Sequence, residues 1–172
     1  MILELAKTYV DAYKTHGQIL DAAEYLINSF DLNHPNFGGF GFRDENSPNS
    51  ILLTAEGALG KIQTVKIPRN LFDFDLSLIL NLLAHEMLHV RQKAPGDVIE
   101  DKNEREWQAY YEMLFHKNFP NIPDAPDFNG KQFAEKALEY YRRMGEGSEL
   151  QTKYAEEKIE VENLLVKKKA QL

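Results

Sequence analysis

The most constraining feature of this 172-residue chain is a run at residues 74–93 that is apolar almost all the way round a helix. Leu76, Leu78, Ile79, Leu80, Leu82, Leu83, Ala84, Met87, Leu88 and Val90 leave no polar face, so such a helix belongs in the middle of its domain. Yet His85, Glu86 and His89 sit within the same run. Two imidazoles and a carboxylate buried without partners would cost several kcal/mol, so the fold has to compensate them.

A divalent metal does so with the right geometry. Residues four apart share a helical face with Cβ atoms about 5–6 Å apart, a gap that two imidazole nitrogens close onto one ion at ~2.0–2.1 Å. Glu86 lies off that line, where it reaches the ion's water without taking a coordination position. The ion brings the water's pKa towards neutrality, and Glu86 as general base takes its proton and returns it to a leaving amine. With no cysteine in the chain, disulfides, thiol nucleophiles and thiolate ligands are excluded, and any metal is held by His, Asp or Glu. The competing reading is a core helix whose histidines are only hydrogen-bonded.

The surrounding sequence predicts an α+β fold, rich in helices. Helical periodicity covers residues 3–30 in two pieces split at His16-Gly17. Residues 31–50, dense in Gly, Pro, Asn and Asp, read as an irregular loop with at most one short strand. Residues 51–55 and 61–68 carry β-branched side chains and suit a hairpin ended by Pro68. Asp73 or Asp75 then N-caps the apolar helix, and Pro95-Gly96 closes it. Further helices are predicted over about residues 100–118, 131–144 and 149–169. Residues 1–120 form the domain that carries the site, and 121–172 a C-terminal helical extension packed on it or projecting from it. The helices from residue 131 on suit a hairpin that covers the cleft or binds a partner, and the last, with its narrow apolar stripe (Leu150, Tyr154, Val161, Leu165), equally an extended or oligomerising arm. The oligomeric state is left open.

Composition narrows the partners. A net charge of -7 and a pI near 5.3 exclude a general electrostatic footprint for nucleic acid or anionic membrane. Lys167-Lys168-Lys169 reads as the solvated end of a mixed-charge helix. The longest apolar run falls short of the ~20 residues that span a bilayer, and the N-terminus is charged too early for a signal peptide. A soluble, cytoplasmic protein is therefore expected, although a mature secreted form would look the same.

The stretch His85-Glu86-Met87-Leu88-His89, followed by Val90 and Gln92, resembles the active-site helix of the zincin metallopeptidases, with the likeness strongest over about residues 62–112. The resemblance implies a zincin-like fold, Zn2+ as cofactor, His85 and His89 as ligands, and hydrolysis of a peptide or protein substrate. The metzincin branch wants Gly three and His six residues past the second His, where this chain has Gln92 and Pro95. The gluzincin branch wants a Glu on the next helix with a small residue three positions later. Glu106-Trp107-Gln108-Ala109 matches it, with Tyr110 where many members carry Asp. Asn103-Glu104 is a rival match, making Glu104 the alternative ligand; Glu106 is preferred because Ala109 supplies close packing. The strand at 61–68 falls where zincins place the edge strand that pairs with extended substrate.

Other residues carry weaker expectations. Tyr110, the oxyanion candidate, and Tyr111 suit hydrogen-bond donation to an oxyanion or, as core aromatics, packing. Arg91 and Gln92 suit the cleft wall, and Arg91 equally the negative end of the helix. His116, four residues after Glu112, is expected to face water with it, and His16 and His34 to lie in turns. Two other classes use the same residues: a non-haem iron enzyme with two His and one carboxylate, which has no use for Glu86, and a non-catalytic, metal-stabilised interaction module.

Overall fold

Apolar residues three and four apart fold the start of the chain into α1 (Ile2–Thr15) and α2 (Ile19–Ser29), with Gly17 at φ +69° turning between them. The computed structural model describes residues 2–45 and 47–171. Ala6 and Val10 of α1 share a core with Ala22, Ala23 and Leu26 of α2.

The stretch read as an irregular loop with at most one short strand contains a six-residue strand, β1 (Phe37–Phe42). Its glycines lower its strand propensity, but Phe37, Phe40 and Phe42 pack against the core. Gly39, at φ +110°, sits where the register slips between Phe37 and Phe40. The expected hairpin is present as β2 (Thr54–Glu56) antiparallel to β3 (Gln63–Ile67), while β1 runs parallel to β3. The strand order is therefore β1-β3-β2. This corrects one expectation: β3 is hydrogen-bonded on both sides, and the edge beside the histidine helix belongs to β2.

A short 3-10 turn (Leu71–Asp73) leads into the apolar helix, α3 (Leu76–Gln92). Asp75, not Asp73, caps it, accepting from the backbone N–H of Ser77 at 2.9 Å and Leu78 at 3.2 Å. Almost its entire circumference is buried, His85, Glu86 and His89 included.

Next, α4 (Lys102–Phe115) packs on α3, capped by Asp101, whose carboxylate accepts from the Glu104 N–H at 2.9 Å. Ala109 has no exposed surface and joins the main core with α3. Trp107 joins a second apolar cluster built by α5 (Asp127–Arg143), α6 (Glu149–Lys153) and α7 (Ala155–Gln171). The single helix expected over 149–169 is interrupted at Tyr154, whose ring is buried 6.0 Å from Trp107 and whose hydroxyl reaches Glu104.

The end of α4 overturns another expectation. His116 adopts a left-handed conformation, φ +48°, that swings the following chain back over the helix. Glu112 is consequently buried, accepting hydrogen bonds from the Asn118 and Phe119 N–H groups at 2.8–3.0 Å, and does not face water. His116 turns instead to Asn81, with Nε2 2.9 Å from Oδ1. Among the described residues, no helix is long and apolar enough to cross a membrane. The α+β class is thus as the sequence predicts: seven helices and a small mixed sheet among the described residues.

Candidate metal centre

One turn of α3 brings His85 and His89 together, and the α4 helix, seated closely through Ala109, adds Glu106. The two Nε2 atoms are 3.1 Å apart, and Glu106 Oε2 lies 3.4 Å from His85 Nε2 and 3.5 Å from His89 Nε2. A tetrahedral ion with bonds of ~2.0–2.1 Å needs its ligand atoms ~3.3–3.4 Å apart. The observed triangle meets that requirement with room for one ion, and the three residues form a group able to hold a metal.

Charge points the same way. Burial pushes the Glu106 carboxyl up, but hydrogen bonding to both histidines and their charge outweigh it, holding the group well below the usual carboxylate range. Burial lowers the His89 imidazole, but Glu106 and Glu86 prevail and the net shift is upward. The cluster thus attracts positive charge to the point where a metal would sit.

Glu86, beside His85, is buried, and its Oε2 accepts the Ala55 backbone N–H at 2.7 Å. Burial raises its pKa, with both histidines and the Ala55 N–H opposing. It lines the cavities on both sides of His85. Lys93 donates to the Ala55 carbonyl at 3.0 Å, so Glu86 and Lys93 together occupy the outward groups of β2 at that residue.

The other candidates separate clearly. The Glu104 carboxylate lies outside the triangle, accepting from Lys153 Nζ at 2.7 Å and the Tyr154 hydroxyl at 2.6 Å. Tyr110 packs its ring against His85, centroids 4.7 Å apart, and borders both cavities; burial raises its pKa, with Glu106 adding to the effect. Tyr111 faces α7, its hydroxyl donating to Glu160 at 2.8 Å. Arg91 places its guanidinium 4.3 Å from the centre of the Phe119 ring. Gln92 stands behind the centre with Oε1 2.8 Å from His89 Nδ1. His16 lies in a turn, and His34 Nδ1 accepts the Asn36 N–H at 3.1 Å.

Sequence reasoning missed three contributors: Ala55, which holds Glu86; Met113, whose Sδ is 3.2 Å from His85 Nδ1; and Gln108, which holds Gln92. Gln108 follows Glu106 by two positions and so falls on a different face of α4; only packing shows that this face meets Gln92. Compared with models of protein families, with curated proteins and with solved structures, the chain matches none.

Proposed function

We propose that this chain is a zinc-dependent hydrolase acting on peptide bonds, with His85, His89 and Glu106 as ligands and Glu86 as general base. The observation that carries the reading is the triangle of 3.1, 3.4 and 3.5 Å between the two Nε2 atoms and Glu106 Oε2. Its third member is the carboxylate that a gluzincin-like zincin would use.

A bound zinc ion would supply a Lewis acid and an acidified water. The chain's own residues do the rest. Glu86, fixed by the Ala55 N–H, accepts the proton of the attacking water on its free oxygen and delivers it to the leaving amine. Burial raises its pKa towards the working range, where a base both accepts and returns a proton efficiently. Tyr110, kept protonated by burial, is the available donor for the developing oxyanion.

The cleft supports a peptide substrate. A cavity of about 760 Å³ opens beside His85 and Glu86. Leu52 and Leu53 stand on one side and Phe133 of α5 on the other, with Lys136, Glu139 and Arg142 along α5. Such a space takes an apolar side chain next to the bond being cut and holds the polar backbone over the charged wall. An extended substrate cannot add to β2 at Ala55 without displacing Glu86 and Lys93, which leaves it the cavity lined by residues 51–53.

Elemental analysis of protein purified without added metal, combined with cleavage of a peptide library, tests the reading. One zinc per chain is expected, with cleavage lost on chelation and restored by zinc. Iron as the dominant metal would overturn it. So would a large loss of stability on chelation with no peptide ever cut.

A further inference from the structure

Behind His89 runs a chain of hydrogen bonds that leaves the centre and ends in the C-terminal helices. His89 Nδ1 is 2.8 Å from Gln92 Oε1, Gln92 Nε2 is 3.0 Å from Gln108 Oε1, and Gln108 Nε2 is 2.6 Å from the Tyr154 hydroxyl. That hydroxyl is 2.6 Å from Glu104 Oε1, which Lys153 also contacts at 2.7 Å. His89, Gln92, Glu104 and Tyr154 are all buried.

Two acceptors fix the direction of the links, the Arg105 carbonyl at the near end and the Glu104 carboxylate at the far end. Gln92 Nε2 also lies 3.1 Å from the Arg105 carbonyl oxygen, which can only accept. The amide nitrogen of Gln92 must therefore face Arg105 and Gln108, and its oxygen must face His89. Gln108 accepts from Gln92 and so donates to Tyr154, and Tyr154 donates to Glu104. At the other end, Gln92 Oε1 can only accept, so His89 carries its proton on Nδ1. The neutral imidazole then has its lone pair on Nε2, facing His85 and Glu106.

We propose that Tyr154 and Glu104 are positioning residues of the metal centre. Through Gln108 and Gln92 they hold His89 in the tautomer and ring orientation that leave Nε2 free to bind. This rests on the metal-centre reading above. It gives α6 and α7 a second role besides covering Trp107, because their junction at Tyr154 is where the relay leaves α4. It also explains why Glu104, two residues from Glu106 on the same helix, is turned away from the centre. Among the described residues, His85 Nδ1 faces the Met113 sulfur, a weak acceptor, in place of such a relay.

Zinc affinity, measured by competition against a chromophoric chelator, is compared for wild type, Gln92→Leu, Tyr154→Phe and the double variant. Gln92→Leu is expected to weaken binding about 10–100-fold. Tyr154→Phe keeps the ring beside Trp107 and is expected to weaken it about 2–10-fold, an effect that disappears in the Gln92→Leu background. Gln108→Leu cuts the relay at another link and is expected to match Tyr154→Phe. In zinc-free protein at a pH where His89 is neutral, nitrogen NMR is expected to show Nδ1–H in wild type, mixed tautomers in Gln92→Leu, and a smaller admixture of the other tautomer in Tyr154→Phe and Gln108→Leu, where the Arg105 carbonyl still holds Gln92. Unchanged affinity and tautomer in the cut variants, or an equal loss in both backgrounds, would overturn the proposal. Failure of the wild type to bind zinc would instead strike the metal-centre reading, and the tautomer measurement would still decide the relay.

Discussion

The Ala55 backbone N–H donates to Glu86 Oε2 at 2.7 Å, joining an edge strand to a buried helix residue 31 positions away in sequence. Ala55 faces away from β3 at this point, so its N–H is free of the ladder and available to aim the base. Ala55→Pro removes that donor without taking a bond from the sheet. Metal content is expected to stay at one equivalent while kcat/KM falls about 10–100-fold from misplacement of Glu86. Equal activity in the variant would show that the base is aimed by something else.

Glu104 and Glu106 lie two residues apart on α4 and have opposite surroundings, which separates their variants. Glu106→Ala removes a corner of the triangle and is expected to abolish stoichiometric zinc binding. Glu104→Ala is expected to keep one zinc, bound more weakly, and to lose about 1–3 kcal/mol of stability because the Tyr154 hydroxyl, still accepting from Gln108, is left buried with no acceptor for its own proton. Metal analysis after dialysis, alongside urea unfolding, reads both outcomes.

The turn after α4 hangs on Glu112. Its carboxylate gathers the Asn118 N–H and side-chain amide and the Phe119 N–H, all from the segment that the left-handed His116 redirects. Glu112→Ala leaves buried donors without a partner and is expected to cost about 3 kcal/mol. Glu112→Gln, which keeps an acceptor, is expected to cost less. Chemical denaturation of both variants checks the order.

Burial holds the His116 imidazole below its ordinary value of 6.5, with Asp124 and Glu112 pulling the other way. As pH falls, the unfolded chain therefore takes up this proton before the native one does. The contribution of His116 is fully present above pH 6.5 and is lost as pH drops towards the lower native value. Urea unfolding from neutral pH to about pH 5 is expected to show wild-type stability falling more steeply than that of His116→Asn, a residue that tolerates the left-handed turn. Parallel curves would mean that His116 titrates alike in both states.

Much of this arrangement is legible in the sequence, because it rests on local periodicity. The all-round apolar helix and its two histidines one turn apart need only helical geometry, while the close approach at Ala109 is what the resemblance to the zincins implies. Asp75, one of the two caps offered by the sequence, announces its helix by chemistry that acts within three residues. What sequence could not supply depends on contacts far apart in the chain. The sequence allows one short strand in residues 31–50 but does not show that it pairs with β3, and that pairing is what moves β3 from the sheet edge to its centre. Glu112 looks solvated until His116 folds the chain over it, and the helix interruption at Tyr154 falls where its hydroxyl reaches Glu104, 50 residues away. The third corner of the candidate site lay between these cases: the resemblance to the zincins offered both Glu104 and Glu106, and helix packing brings Glu106 to the histidines.

The proposal that Glu86 drives hydrolysis at a metal held by His85, His89 and Glu106 is decided by Glu86→Gln. Both proteins are loaded to one zinc per chain, and cleavage of a peptide library is measured. Wild type is expected to cut, and Glu86→Gln to lose at least about 100-fold in kcat with its zinc retained. Equal cleavage by the two proteins, or none by zinc-loaded wild type, would contradict the account.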